Sequence, residues 1–319
     1  MHRPLAVLAA LSLTTVGVAS AAAPGALRFS IEPGGGNGRV QLSLRERSPG
    51  RDSNWSSTVA LAELGGLDPT RLRGVGTAPL SFVLVREAGR FDCRGEGGRS
   101  AARGDCSFVP DAVFAAFLAR RGIGRPTREQ ANALAMSGVG RGHVEALATH
   151  RYPTPTVDQL VAMGIHGANS RFIHDLASAG YRLRSASDLV IFRIHGVDAS
   201  YIRALAAAGP EFRKLAADDL VAFRIHGVSP DLVRTYARLG TRGLDRDSIV
   251  AMAIHGVTPR YIEDLAALGY RGLGADELVQ MRIFGVTPDY IRALQRTGQG
   301  PLPVARLVEL RIHGGRRPR

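Results

Sequence analysis

The stretch Ile254-His255-Gly256-Val257-Thr258-Pro259-Arg260-Tyr261-Ile262 decides the fold, because its opening tripeptide returns along the chain at a nearly fixed step. Ile165-His166-Gly167, Ile194-His195-Gly196, Ile225-His226-Gly227, Ile283-Phe284-Gly285 and Ile312-His313-Gly314 complete the set. Successive isoleucines lie 29, 31, 29, 29 and 29 residues apart, with the two extra residues falling in the segment Pro210-Glu211-Phe212-Arg213-Lys214. The same step carried upstream reaches Gly138 and Gly122, so seven units fit between Pro110 and Gly314. Tandem units of this size cannot each bury an apolar face alone, so they stack on their neighbours. The sequence predicts a mostly α protein whose residues 110–314 form an α-solenoid of seven helical-hairpin repeats of about 29 residues.

Within one unit, Thr258 followed by Pro259 is a helix start: a Thr N-cap satisfies one orphan amide and Pro at the first helical position removes another. Ser229-Pro230 and Thr287-Pro288 repeat it. Phe114, Phe172, Tyr201, Leu232, Tyr261 and Tyr290 share the next slot, and Leu118, Leu147, Leu205, Leu265 and Leu294 follow on the same helical face, which marks both as core. Gly180, Gly209, Gly240 and Gly269, with Arg151 at the equivalent place, stand where that helix closes in a left-handed turn. A second helix opens at Ser185, at Asp245, or at the Thr127-Arg128-Glu129-Gln130 capping box, and carries Leu160, Leu189, Leu220 and Leu278 inward. Ile-His-Gly closes it. Helices of about three turns do not persist alone and depend on neighbour contacts.

Ahead of the repeats the period changes. Leu27-Arg28-Phe29-Ser30-Ile31 and Val40-Gln41-Leu42-Ser43-Leu44 alternate with period two around Gly34-Gly35-Gly36-Asn37-Gly38, which predicts a hairpin. Ser81–Val85, Phe91–Cys93 and Cys106–Phe108 continue the pattern, giving a small antiparallel β domain over residues 27–109. Residues 1–23 read as a cleaved signal peptide: a basic Met1-His2-Arg3-Pro4 start, an apolar run from Leu5 to Val18 too short to span a bilayer, and small residues at 19–23. No later apolar stretch is long enough to anchor the mature chain, so a periplasmic or secreted location is expected. In that oxidising setting Cys93 and Cys106, which flank a Gly-rich turn, are expected to form a disulfide; a metal pair or reactive thiol lacks partners nearby.

Candidate chemistry rests on two repeated slots. His166, His195, His226, His255 and His313 occupy one, but successive units lie on the order of 10 Å apart, so one metal ion cannot bridge them. They are read as structural; a pH-sensing stack is the sharper alternative. Arg193, Arg224, Arg282 and Arg311 occupy the position before Ile and are the candidate partner-binding ridge, able to attract carboxylate or phosphate. The balance of 41 Lys plus Arg against 28 Asp plus Glu, with Lys214 the single lysine, makes that surplus almost wholly arginine. Asp218-Asp219 and Asp276-Glu277 complement helix dipoles at the start of second helices. Metallopeptidase, serine-hydrolase and phosphate-loop motifs are absent, so no catalytic residue, cofactor or metal is expected. Export disfavours nucleic acid, and an aromatic content of 6% leaves little stacking platform.

The pattern Ile-His-Gly-Val-Thr-Pro-x-Tyr-Ile at 254–262 resembles tandem repeats found beyond the peptidase domain in some bacterial antirepressor metallopeptidases of the beta-lactam-sensor type. Phe91-Asp92-Cys93-Arg94-Gly95 through Cys106-Ser107-Phe108-Val109-Pro110-Asp111 is similar to the Gly-rich hairpin that precedes such repeats. The resemblance covers about residues 27–315, without the membrane helices or zinc peptidase motif of those sensors. It implies an extracytoplasmic sensing or partner-binding module. The expectation is thus a non-enzymatic interaction scaffold for a periplasmic or membrane protein, the alternatives being an envelope polyanion binder or an accessory to a membrane sensor or metallopeptidase. Residues 315–319 form a basic tail.

Overall fold

The structure, a computed structural model, describes residues 27–34, 38–48, 51–298 and 300–313. The expected signal peptide at 1–23, the tip of the Gly-rich turn at 35–37, and the basic tail at 315–319 lie outside the described residues. The chain groups into two compact units, one from Met1–Val85 with Arg90–Val109 and the other from Arg86–Gly89 with Pro110–Arg319.

The first unit is a curled antiparallel sheet of seven strands: β1 (Leu27–Pro33), β2 (Arg39–Ser48), β3 (Arg51–Ala60), β4 (Leu64–Gly65), β5 (Ala78–Arg86), β6 (Gly89–Gly98) and β7 (Ala101–Pro110). Their order is β3-β2-β1-β7-β6-β5-β4, so two runs of hairpins meet where β1 pairs with β7. The alternation read from the sequence sends Leu27, Phe29 and Ile31 of β1, and Val40, Leu42 and Leu44 of β2, to one buried face. Phe29 meets Phe82 edge-on, and Phe91 lies against Phe108. Cys93 on β6 and Cys106 on β7 are joined by a disulfide, their Cα atoms 4.1 Å apart, close to the spacing of a non-hydrogen-bonded antiparallel pair. β3 was not legible beforehand because its exposed face is polar: Ser56 and Thr58 bond across to Ser43 and Gln41 instead of burying anything. A short helix, α1 (Pro69–Arg73), capped by Asp68, is also an addition.

Among the described residues fourteen helices follow: α2 (Ala112–Arg120), α3 (Arg128–Met136), α4 (Arg141–Thr149), α5 (Val157–His166), α6 (Ser170–Ser178), α7 (Ala186–His195), α8 (Ala199–Ala206), α9 (Ala217–Ile225), α10 (Pro230–Arg238), α11 (Arg246–Ile254), α12 (Pro259–Ala267), α13 (Ala275–Ile283), α14 (Pro288–Arg296) and α15 (Val304–His313). From α3 to α15 each helix packs on the one two places along: the odd-numbered helices follow one another, and so do the even-numbered ones. No described helix is long and apolar enough to cross a membrane.

The helix ends follow their residues. Thr127 and Thr156 form capping boxes with Gln130 and Gln159, and Ser185, Ser229, Asp245, Thr258 and Thr287 each accept a backbone N–H of the first turn. At the other end, Gly167, Gly196, Gly227, Gly256 and Gly285 all adopt φ between 66° and 71°. The next residue then donates back into the helix: Val197 to Phe192, Val228 to Phe223, Val257 to Met252 and Val286 to Met281, each at 2.8 Å. This six-to-one closure needs Gly in the left-handed position and an apolar residue after it, and those four valines are indeed no more than 1% exposed.

The first helices end similarly at Gly180, Gly240 and Gly269, with φ of 82°, 76° and 96°. Gly209 departs from the expectation. Its φ is −178°, ordinary extended backbone, because the two-residue insertion turns Pro210–Phe212 into a single 3-10 turn that Gly209 starts. Arg151 holds the left-handed place with φ 56°, one of three described non-glycine residues that do so.

Candidate functional site

The final turn of the second helices places two side chains outward together. Helical geometry advances 100° per residue, so a residue two beyond a buried one points about 200° away from the core. Met163, Phe192, Phe223, Met252 and Met281 are at most 1% exposed, and Ile165, Ile194, Ile225, Ile254 and Ile283 follow each by two. Their exposures are 64, 55, 57, 56 and 51%, and Ile312 on α15 shows 50%. Each Ile-His-Gly copy therefore presents an isoleucine to solvent.

The arginines before those isoleucines are exposed too, but they do not project freely. Arg193 on α7 reaches back to the preceding unit, where its Nε donates to the carbonyl oxygen of His166 at 3.2 Å. Its guanidinium carbon stands 5.1 Å from the centroid of Phe172. Arg224 repeats the arrangement with the His195 oxygen at 3.0 Å and Tyr201 at 4.8 Å, and Arg282 with the His255 oxygen at 3.2 Å and Tyr261 at 5.0 Å. Arg311 lies 5.1 Å from Tyr290. A cation at a helix C-terminus complements the carbonyl end of the dipole, and an aromatic face receives a guanidinium well.

Every clamping arginine has its aromatic, although the first unit has Phe114 with Ala135, an aromatic without the arginine. Phe172 with Arg193, Tyr201 with Arg224, Tyr261 with Arg282 and Tyr290 with Arg311 are present as pairs, whereas Leu232 with Ala253 and His143 with Gly164 lack both partners. Space follows: a Cβ on Gly167, Gly196, Gly256 or Gly285 would meet the clamping arginine, but one on Gly227, opposite Ala253, meets nothing within 4 Å. The ridge expected at Arg193, Arg224, Arg282 and Arg311 is thus an inter-unit clamp whose outer part stays exposed. Among the described residues none of the four forms an ion pair. Near Arg224 the Asp198 carboxyl is pushed up by partial burial. Hydrogen bonds from the Tyr201 and Ser200 amides and the Ser200 hydroxyl, together with the Arg224 charge, nevertheless hold it below the usual carboxylate range.

The repeat histidines contribute through their backbone. His166, His226, His255 and His313 are exposed and His195 is half-buried, and it is the carbonyls of His166, His195 and His255, not the rings, that the arginines engage. Two off-register histidines do meet: His150 Nε2 and His174 Nδ1 share a 2.8 Å hydrogen bond. No cluster of three or more His, Cys, Asp or Glu among the described residues has metal-binding geometry.

Tyrosines form a second set of ties. Tyr201 and Tyr261 donate to the carbonyls of Val228 and Val286 at 2.7 and 2.6 Å, and Tyr236 donates to Val257. Burial pushes all three phenols up to about 12. Tyr181 and Tyr270 reach Leu215 and Leu302 similarly. No protein-family model, curated protein or solved structure matches this chain.

The isoleucine row was not singled out from sequence, though its signal was there: Ile recurs two residues after each buried position. The clamp was harder to see, because the aromatics had a sufficient reading as core.

Proposed function

We propose that the helical unit is a solenoid of seven hairpins, α2 with α3 through α14 with α15, acting as a non-enzymatic protein-interaction scaffold outside the cytoplasm. The observation that carries this is the recurrence of an exposed isoleucine beside a basic side chain along the row. A folded chain ordinarily buries such residues or scatters them singly, and an ordered set marks an interaction surface. The serial packing of helices two apart supports the solenoid. The disulfide agrees with an extracytoplasmic location.

The test is in-cell cross-linking from a photoreactive residue at position 225, followed by identification of the trapped protein. A single partner captured from that position, and not from 145 on α4, supports the scaffold. Capture of nothing from the row or from any other face removes it. A polyanion binder remains the second reading, favoured by the net charge of +13. It predicts retention on heparin that collapses as salt rises, since counterion screening governs such contacts. A polyanion makes no use of the exposed isoleucines, which is why this reading comes second.

A further inference from the structure

We propose that the isoleucine row docks an acidic segment of a partner protein, held in polyproline II conformation with an apolar side chain at every third residue. This rests on the scaffold reading and adds the conformation and chemistry of the occupant.

The exposed isoleucine has no local cause. Ile173, Ile202, Ile249, Ile262 and Ile291 of the same helical unit are between 0 and 5% exposed and Ile191 is 42% exposed, against 50–64% in the row. A β-branched residue loses rotamer freedom in a helix, and Ala, Arg, Lys or Gln would suit a solvated final turn better. The slot before it drifts among Gly164, Arg193, Arg224, Ala253, Arg282 and Arg311, and Phe284 replaces the histidine after it in one copy. Isoleucine, like the closing glycine, appears in all six, while Met136 holds its slot in the first unit. Phe284 is itself 40% exposed and enlarges the apolar edge.

Spacing selects the conformation. Neighbouring packed helices lie about 8–10 Å apart, so the row offers an apolar contact at roughly that interval. A polyproline II segment has three residues per turn and rises about 3.1 Å each, so it returns a side chain to one face every ~9 Å. A β-strand returns one about every 7 Å and loses step within two or three units. Prolines in the segment fix φ near −65° and hold it close to this conformation beforehand, which lowers the ordering cost on binding.

Charge selects the residues between. Arg193, Arg224, Arg282 and Arg311 flank the row, are exposed, and have no carboxylate partner among the described residues. Their Nε atoms and ring-facing surfaces are used, so the partner meets outward guanidinium edges that favour Asp or Glu. At Gly227 the clamp is missing, and a Cβ built there would meet nothing within 4 Å.

The probe is a fluorescent peptide of about five Leu-Glu-Pro repeats, titrated by anisotropy against the purified chain. Controls are a scramble of the same composition, a Leu-Lys-Pro series and a Ser-Glu-Pro series. The protein variant is Ile225→Ser with Ile254→Ser, whose exposed positions leave the helices intact, as circular dichroism checks. Saturable binding of Leu-Glu-Pro, weakened about tenfold or more by the double substitution and absent for all three controls, supports the proposal. Equal binding of the scramble, or of the double variant, overturns it. So does association with phosphatidylglycerol vesicles that needs the isoleucines while the peptide fails to bind, which hands the row to a lipid surface. Concentration-dependent self-association through the row overturns it in favour of a second copy. In cells, partner capture from another face that survives the double substitution removes the row and leaves the scaffold reading standing; capture of nothing removes both.

Discussion

The guanidinium carbon of Arg224 stands 4.8 Å above the Tyr201 ring while its Nε holds the carbonyl oxygen of His195 at 3.0 Å. One side chain on α9 therefore ties together the end of α7 and the start of α8. Arg224→Gln removes the ring contact and the charge at the carbonyl end, and is expected to destabilise the helical unit by about 1–2 kcal/mol. Arg224→Lys restores charge without the planar fork, so it recovers less than half. Urea titration followed by helical circular dichroism reads both.

The tyrosine ties discriminate more sharply. Tyr236 is 1% exposed and satisfies the Val257 carbonyl, so Tyr236→Phe leaves a buried acceptor unpaired at a cost of about 1–2 kcal/mol. Tyr290 is half-buried and supplies only its ring to Arg311. Tyr290→Phe should change the unfolding midpoint by no more than a few tenths of a kcal/mol.

Alkaline pH probes the same residues collectively. Tyr201, Tyr236 and Tyr261 keep their protons up to about 12 in the folded chain, above the unfolded value of 10. The unfolded state then ionises first. Stability from these groups is complete below pH 10 and falls as pH rises from 10 through 12. Replacing all three by Phe should flatten that decline in a thermal-unfolding series, even though the midpoint at neutral pH drops.

Arg151 occupies a left-handed turn at φ 56° where other units have glycine. An L side chain there carries a cost of roughly 1 kcal/mol, and among the described residues its guanidinium has no compensating bond. Arg151→Gly should raise the unfolding midpoint, with a gain of up to about 0.5 kcal/mol after the entropy of the added glycine is subtracted. An unchanged or lower midpoint would count against strain at this turn.

Cys93 and Cys106 close a loop across a sequence separation of 13. Cys93→Ala with Cys106→Ala should lower the stability of the sheet unit by about 3 kcal/mol in the chain-entropy account. Near-ultraviolet circular dichroism in denaturant reads the loss.

What sequence alone determined here is local. A 29-residue step, a Thr or Ser cap before Pro, a Gly that must turn left-handed and a period-two alternation each act within a few residues, so the helix ends, the main strands and the paired cysteines were legible before any packing was known. Tertiary structure decided the rest because it joins residues that no local rule relates. Ser56 and Thr58 make a strand only once Ser43 and Gln41 lie opposite, and Gly209 is extended only because an inserted turn must fit between neighbours. Arg193 looks like a free cation until the preceding unit places the His166 carbonyl, and its own hairpin the Phe172 ring, 27 and 21 residues earlier within reach. The same stacking that absorbs the arginine has no place for Ile194, which lies on the far side of its helix from Phe192 and is left to the solvent.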